Sequence, residues 1–297
     1  MDYLKTISDS FTGYFNYLVN EITHPGWHNY FYLLLALSLI VWLGEIVFPW
    51  RRQQPIIRKD FWLDGFYMFF NFFLFSLVGY NALSNVAVDF FNNALTKVGI
   101  TNVVALEISA APVWLQFLIM FLVADFISWC VHILLHRVPF LWKFHKVHHS
   151  VQQMGFAAHL RYHWMETIVY NTILYLPLAM IGFSIQDWFV LHAFTILIGH
   201  LNHANMRIDY GPFRYIFNNP AMHIWHHAKT MPPDHKYGVN FGISLSVWDY
   251  LFKTAYMPSS GRDIPLGFED VESYPEGFIG QTIEPFKSTQ DPEQDQA

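Results

Sequence analysis

Apolar residues in this chain gather into long unbroken runs instead of the short alternations of half-buried strands, and polar intervals rich in histidine separate them. Tyr30 to Phe48 reads YFYLLLALSLIVWLGEIVF. At 1.5 Å per residue it is long enough to cross a hydrocarbon layer of about 30 Å. Comparable runs cover Phe66 to Leu83 and Trp114 to about Leu135. Two shorter ones, Ile168 to Phe183 and Trp188 to Leu201, are joined by Ser184-Ile185-Gln186-Asp187. They predict an apolar hairpin whose arms span if the bilayer adapts slightly. The pattern predicts an all-α chain of polytopic membrane helices, with the polar intervals folded as a helical cap. Glu45 lies near the end of the first run, where a charge can reach the interface. Residues 1–28 are mildly amphipathic and predict an interfacial segment.

Basic residues assign sides. Arg51, Arg52, Arg58 and Lys59 follow the first run, which puts that loop in the cytoplasm. The connection from Ser84 to Pro112 has Lys97 as its only base, beside Asp89 and Glu107, and suits the outer side. Its residues 87–98 can lie flat in the interface. Arg137, Lys143 and Lys146 flank the exit of the third run, and Arg207, Arg214, Lys229 and Lys236 follow the hairpin. The expectation is an integral, multi-pass membrane protein with its histidine clusters on the cytoplasmic side. The N-terminus, MDYLKTISDS, lacks the marks of a cleaved signal peptide.

Composition agrees with lipid surroundings. Apolar residues are 53% and charged residues 13%, against roughly 25% charged in soluble domains. A net charge of −6 gives no footprint for nucleic acid. Cys130 is the only cysteine, which excludes an intramolecular disulfide and removes thiolate as the main metal ligand.

The chemistry lies in the histidines. Val131 to His149 reads VHILLHRVPFLWKFHKVHH. His132 and His136 are one helical turn apart, and His145, His148 and His149 converge at i, i+3 and i+4. The HxxHH spacing returns at His223, His226 and His227 in HIWHH. With 16 His in 297 residues, chance supplies such a motif about 0.05 times. A structural zinc takes about four ligands. Eight clustered imidazoles therefore point to two ions in one polynuclear site made by bringing two helices together. Imidazole suits zinc, copper, iron and nickel alike. Glu166, Asp209, Asp234 and Asp249 are candidates to hold the ring N–H groups and fix their tautomers.

HILLH, HKVHH and HIWHH set among membrane spans resemble the fatty acid hydroxylase/sterol desaturase superfamily of integral-membrane di-iron enzymes. RYHWME (Arg161 to Glu166) is similar to that family's R-F/Y-H-x-x-E stretch, and NHANMR (Asn202 to Arg207) to its H-A/S-N-x-R stretch. NFG followed by WDYLFKT (Asn240 to Thr254) is similar to its ending, with Lys253 where glycine is usual. The resemblance runs from Trp114 to Tyr256. It implies His132, His136, His145, His148, His149, His223, His226 and His227 as metal ligands, His203 as a further one, and His200 or His163 as alternatives. Asn240 joins the acids as a supporting residue. It also implies two non-haem iron ions and O₂. The reaction would be hydroxylation or desaturation of a lipid, with electrons from a separate donor protein such as a ferredoxin or a cytochrome b5-type carrier with its reductase. Acyl chains, sterols, sphingoid lipids, ether lipids and carotenoids all stay open as substrates.

Three segments are expected: 1–113 with the first two spans, a catalytic region at 114–257, and a polar C-terminal tail at 258–297 whose end, STQDPEQDQA, reads as disordered. Rival readings are a histidine-rich membrane metal transporter, a membrane haem protein and a metal-binding protein without oxygenase activity. A transporter would hold ionisable groups near the midplane, whereas only His192 sits well inside an apolar run. His24 to Trp27 (HPGW) is similar to the haem-ligand turn of cytochrome b5, but too little polar sequence surrounds it for a haem domain.

Overall fold

The computed structural model describes residues 3–26, 29–99, 104, 108, 110–181 and 188–287. It is mostly helical, with no strand among the described residues and only isolated bridges such as Pro49 to Met206. The amphipathic start forms α1 (Tyr3–Thr23), and the first apolar run forms α2 (Tyr30–Val47). Asn29 caps α2 by accepting the Tyr32 N–H at 3.1 Å. The third run is α5 (Val113–Arg137). Both α2 and α5 are long and apolar enough to cross a membrane. Their outer faces expose Leu39, Ile40, Leu43 and Val47 on one and Trp114, Leu118 and Leu122 on the other. Such exposed apolar faces suit contact with lipid.

The second run does not form one straight span. It folds as α3 (Phe61–Phe69), then two wide π turns at Phe70–Leu74 and Ser76–Tyr80, then α4 (Asn81–Lys97), which packs on α1. Gly79 at φ +141° permits the break, because a Cβ there would be strained. The helix therefore runs on past Leu83 through most of the segment expected to lie flat. Buried Asn71 uses this bend to donate to the Leu160 and Tyr162 carbonyls at 3.0 and 2.8 Å. Glu45 also departs from expectation. Its Oε1 accepts the Phe156 and Asn205 N–H groups at 2.9 and 2.7 Å, tying α2 to the cap.

The rest of the chain builds the cap and its supports. After α5, Val138 ends the helix and Pro139 opens α6 (Pro139–His149), since its missing N–H is an orphan position anyway. The hairpin arms are α7 (Trp164–Met180) and α8 (Trp188–His203), and their joining turn lies outside the described residues. Asn219 caps the short α9 (Pro220–His226) through the Met222 N–H at 3.0 Å. Two smaller helices follow, α10 (Val247–Leu251) and α11 (Phe278–Ile283).

One core joins α2, α3 and α8 through Leu34, Val41, Met68 and Ile196, and another joins α5 to α7 and α8 through Met120, Ala124, Leu174 and Leu191. A third, with Met154, Ala158, Ile224 and Leu266, lies in the cap. Residues 258–287 wrap over that cap. Tyr67 donates to Gln281 at 3.0 Å, and Phe278 packs against Phe66, Tyr67 and Phe70. Residues 288–297, Trp27 and Glu107 lie outside the described residues.

Candidate metal centre

The ends of α5 and α8, the whole of α6 and the short α9 meet so that nine histidines face one another. Their ring nitrogens form two groups, each with its atoms within 4.8 Å of one another. The first holds His132, His136, His145, His149 and His226; the second holds His148, His203, His223 and His227. Every i, i+4 pair stays in one group (His132/His136, His145/His149, His223/His227), because those positions stack on a helix face. The remaining member of each HxxHH, His148 or His226, is turned away by about one residue's rotation and joins the other group. Each HxxHH segment therefore serves both groups, which binds α6 and α9 into one site.

The tautomers are fixed from outside. His132 Nδ1–H donates to the Phe241 carbonyl at 2.8 Å, and His226 Nδ1–H to the Val239 carbonyl at 2.8 Å. His145 Nδ1–H donates to Glu166 Oε2 at 2.8 Å. With those protons on Nδ1, each Nε2 carries a lone pair. The Nε2 atoms of His132, His136, His145, His149 and His226 are all buried without a hydrogen-bond partner. Five buried orphans converging on one point are a costly arrangement for protein alone and a fitting donor set for a cation. The second group makes the same case. His148 donates from Nδ1 to the Arg161 carbonyl at 3.1 Å and His203 from Nδ1 to the Gly199 carbonyl at 2.8 Å, yet their Nε2 atoms lie 3.3 Å apart. Two lone pairs at that distance repel unless a cation accepts both.

Burial among like rings depresses the pKa of His145, His149, His223, His226 and His227 well below the ordinary value, and that of His148 to about 3. These imidazoles are neutral at pH 7, the form that binds metal.

Not every residue singled out in the sequence reaches the histidines. His163 spends both nitrogens elsewhere: Nδ1 accepts the Met165 N–H at 3.1 Å and Nε2–H donates to the Thr282 carbonyl at 3.0 Å. His200 sits 3.2 Å from Ser38 Oγ and 3.4 Å from His159, outside both groups. Asp209 and Asp234 are exposed, where water solvates a carboxylate best; Asp209 accepts the Gly211 N–H at 3.0 Å. Asp249 is fully buried and accepts from Phe241 N, Gly242 N, Trp129 Nε1 and Thr254 Oγ1 at 2.6 to 3.1 Å. It thereby fixes the peptide whose carbonyl holds His132. Asn240, at φ +55°, donates to the Met222 and Tyr256 carbonyls and pins the neighbouring strap.

Other residues support the site from further out, among them Arg161, which opens the RYHWME stretch. Arg161 pairs with Asp60 and Asp64 at 3.0 and 3.1 Å while its carbonyl holds His148, and Arg58 also pairs with Asp64. His159 lies with its ring 5.6 Å from that of His203, in a space a side chain on Gly199 would fill. Beside the histidines a cavity of about 280 Å³ opens toward the apolar helices. Tyr170, His192, Ile196 and Ile243 are among its lining residues.

The fold and donor set define a helical protein that associates with membranes and can hold metal on two adjoining imidazole groups. Residues 117–254 match the model of the family described as Fatty acid hydroxylase. That match, together with the relatives below, fits the fatty acid hydroxylase/sterol desaturase superfamily. An ornithine lipid hydroxylase of Rhizobium tropici is 30% identical over 175 residues, 59% of this chain and 51% of that protein. The alkylglycerol monooxygenase of Homo sapiens is 30% identical over 135 residues, 45% of this chain and 29% of that protein. That of Danio rerio is 29% identical over 171 residues, 56% of this chain and 36% of that protein. The chain thus spans about half the length of the first of these relatives and less of the others. No solved structure matches it significantly.

Proposed function

We propose that the chain is a membrane-bound oxidoreductase that hydroxylates a C–H bond of a lipid, using O₂ and a pair of non-haem iron ions. The observation that carries this reading is the convergence of nine buried histidines, seven of them with an orphaned ring nitrogen, beside an apolar-sided cavity. The printed activities of the relatives, hydroxylation of ornithine lipid and monooxygenation of alkylglycerol, support lipid as the substrate class. Overall, R–H, O₂, two electrons and two protons give R–OH and water.

The iron pair would supply reductive activation of O₂. His132, His136, His145, His149 and His226 would hold one ion, and His148, His203, His223 and His227 the other. Glu166 and the carbonyls of Phe241, Val239, Arg161 and Gly199 keep the rings of His145, His132, His226, His148 and His203 aimed inward. The cavity walls hold the substrate carbon against the centre and keep bulk water out. Residues 114–257 form the catalytic unit, crossing a membrane more than twice with the cap on the cytoplasmic side. The electrons come from a separate carrier protein.

Lipid extracts of cells with and without the protein test this reading. A gain of one oxygen atom in a lipid species supports hydroxylation, and loss of two hydrogens would make it a desaturase. Zinc alone in the purified protein, with unchanged lipids, would count against both.

A further inference from the structure

The C-terminal region, expected to be a polar tail, carries an exposed apolar face. Ile279 and Ile283 stand at i and i+4 on α11, on the side away from buried Gln281, and are 66% and 51% exposed. Phe286, on the turn that follows, is 58% exposed. Single exposed apolar side chains are ordinary on any surface, but these belong to a larger patch. Trp62 and Phe66 lie one turn apart on α3 and are exposed, and the Phe278 ring, 4.8 Å from that of Phe66, joins them to α11. On the other side Phe286 lies 5.4 Å from Phe144, whose ring is 5.2 Å from that of exposed Phe140.

The level of this patch follows from two helices that leave the cap, α3 with the second apolar run and α7 with the first arm of the hairpin. Phe278 meets Phe66 and Phe70, about 8 and 13 Å along α3 from Phe61. Phe286 meets Trp164, the first residue of α7, with ring centroids 6.3 Å apart. Hydrogen bonds hold the segment with its apolar side outward. Tyr67 donates to Gln281 at 3.0 Å, Gln281 to the Pro275 carbonyl at 2.7 Å, and His163 Nε2–H to the Thr282 carbonyl at 3.0 Å. The charged groups along its border pair off, Lys59 with Glu276 at 3.0 Å and Lys287 with Glu284, so charge selects no partner here.

We propose that α11 and the turn after it seat the cap in the bilayer, with Ile279, Ile283 and Phe286 at the boundary between headgroups and acyl chains. Interfacial segments bury an apolar face about 5–10 Å deep, a depth that the contacts along α3 match. Exposed Trp62 fits the same level, because the amphipathic indole favours the headgroup zone. Lipid is the occupant because the exposed surface continues from Phe66 to Leu74, down the apolar run itself. The proposal uses the membrane association of the chain and not its oxidative chemistry, so the two stand or fall separately.

The test uses the full chain in nanodiscs of uncharged phosphatidylcholine bearing a photoactivated diazirine high on its acyl chain. Illumination, digestion and mass spectrometry should place lipid adducts within 278–286 and at Trp62, with a yield that raised ionic strength leaves unchanged. Nitroxide labels give a second reading in a Cys130→Ala background, at Ile279→Cys and Ile283→Cys, with Glu269→Cys on the exposed cap as the control. Collisions with lipid-soluble oxygen should prevail over those with a water-soluble nickel chelate at 279 and 283, and the reverse should hold at 269. Metal content equal to that of the native chain shows that the labelled proteins are folded. Absence of adducts from 278–286, or nickel access at 279 and 283 equal to that at 269, overturns the proposal. Spin–spin broadening between chains at 279 also overturns it, by making a second copy the cover. Lipid hydroxylation by the same preparation, present or lost, tests the oxidative reading alone.

Discussion

Removing the carboxylate behind His145 probes how far the surroundings of the site determine its metal affinity. Glu166 Oε2 accepts the His145 Nδ1–H at 2.8 Å, and the two side chains are only 4% and 3% exposed. Leaving a buried donor such as the His145 Nδ1–H without its acceptor costs about 1–3 kcal/mol. Glu166→Leu frees the His145 ring to rotate and to change tautomer, so that free energy is lost from the first group of five. At 1.36 kcal/mol per tenfold, affinity there should fall by about 5- to 150-fold. Glu166→Gln keeps an oxygen acceptor and should lose less. Chelator competition followed by metal analysis measures both variants against the native chain. Native affinity in Glu166→Leu would refute the claim that this contact orders the site.

Asp249→Ala leaves Phe241 N, Gly242 N and Trp129 Nε1 buried without an acceptor, and should destabilise the fold by about 3 kcal/mol or more, read by denaturation. Metal-free protein should weaken as pH falls. The six cap imidazoles have folded pKa values below their unfolded value near 6.5, so the unfolded chain binds more protons below that pH. Each costs about 1.4 kcal/mol per pH unit from about 6.5 downward, for His148 until about 3, and a denaturation midpoint that stays flat between pH 7 and 5.5 would contradict this. Gly199→Ala places a Cβ in the His159 ring and should cost about 1–3 kcal/mol while shifting that ring, visible as a lower melting temperature.

Helical periodicity made eight of the nine histidines legible, since i, i+4 spacing survives any packing of the helices that carry it; His203 has no such partner and came only from the family resemblance. Periodicity did not show that each HxxHH straddles both groups, which depends on how α6 and α9 cross. The backbone carbonyls of Phe241, Val239, Arg161 and Gly199 have no side-chain signature, and their role follows only from tertiary geometry. Exposed Asp209 and Asp234 looked equivalent to Glu166 and Asp249 because composition carries no burial. The break at Gly79 was hidden inside a run whose hydrophobicity is the same for α and π turns. Glu45 read as a charge escaping to the interface, when two backbone N–H groups from distant segments give it partners where it stands.

Metal analysis of the purified full chain tests the central claim most directly. Two irons per chain are expected, falling to about one in His226→Ala and in His223→Ala, because these residues belong to different groups. A chain that binds less than one equivalent of any transition metal, or that keeps its full load in both variants, would contradict the account.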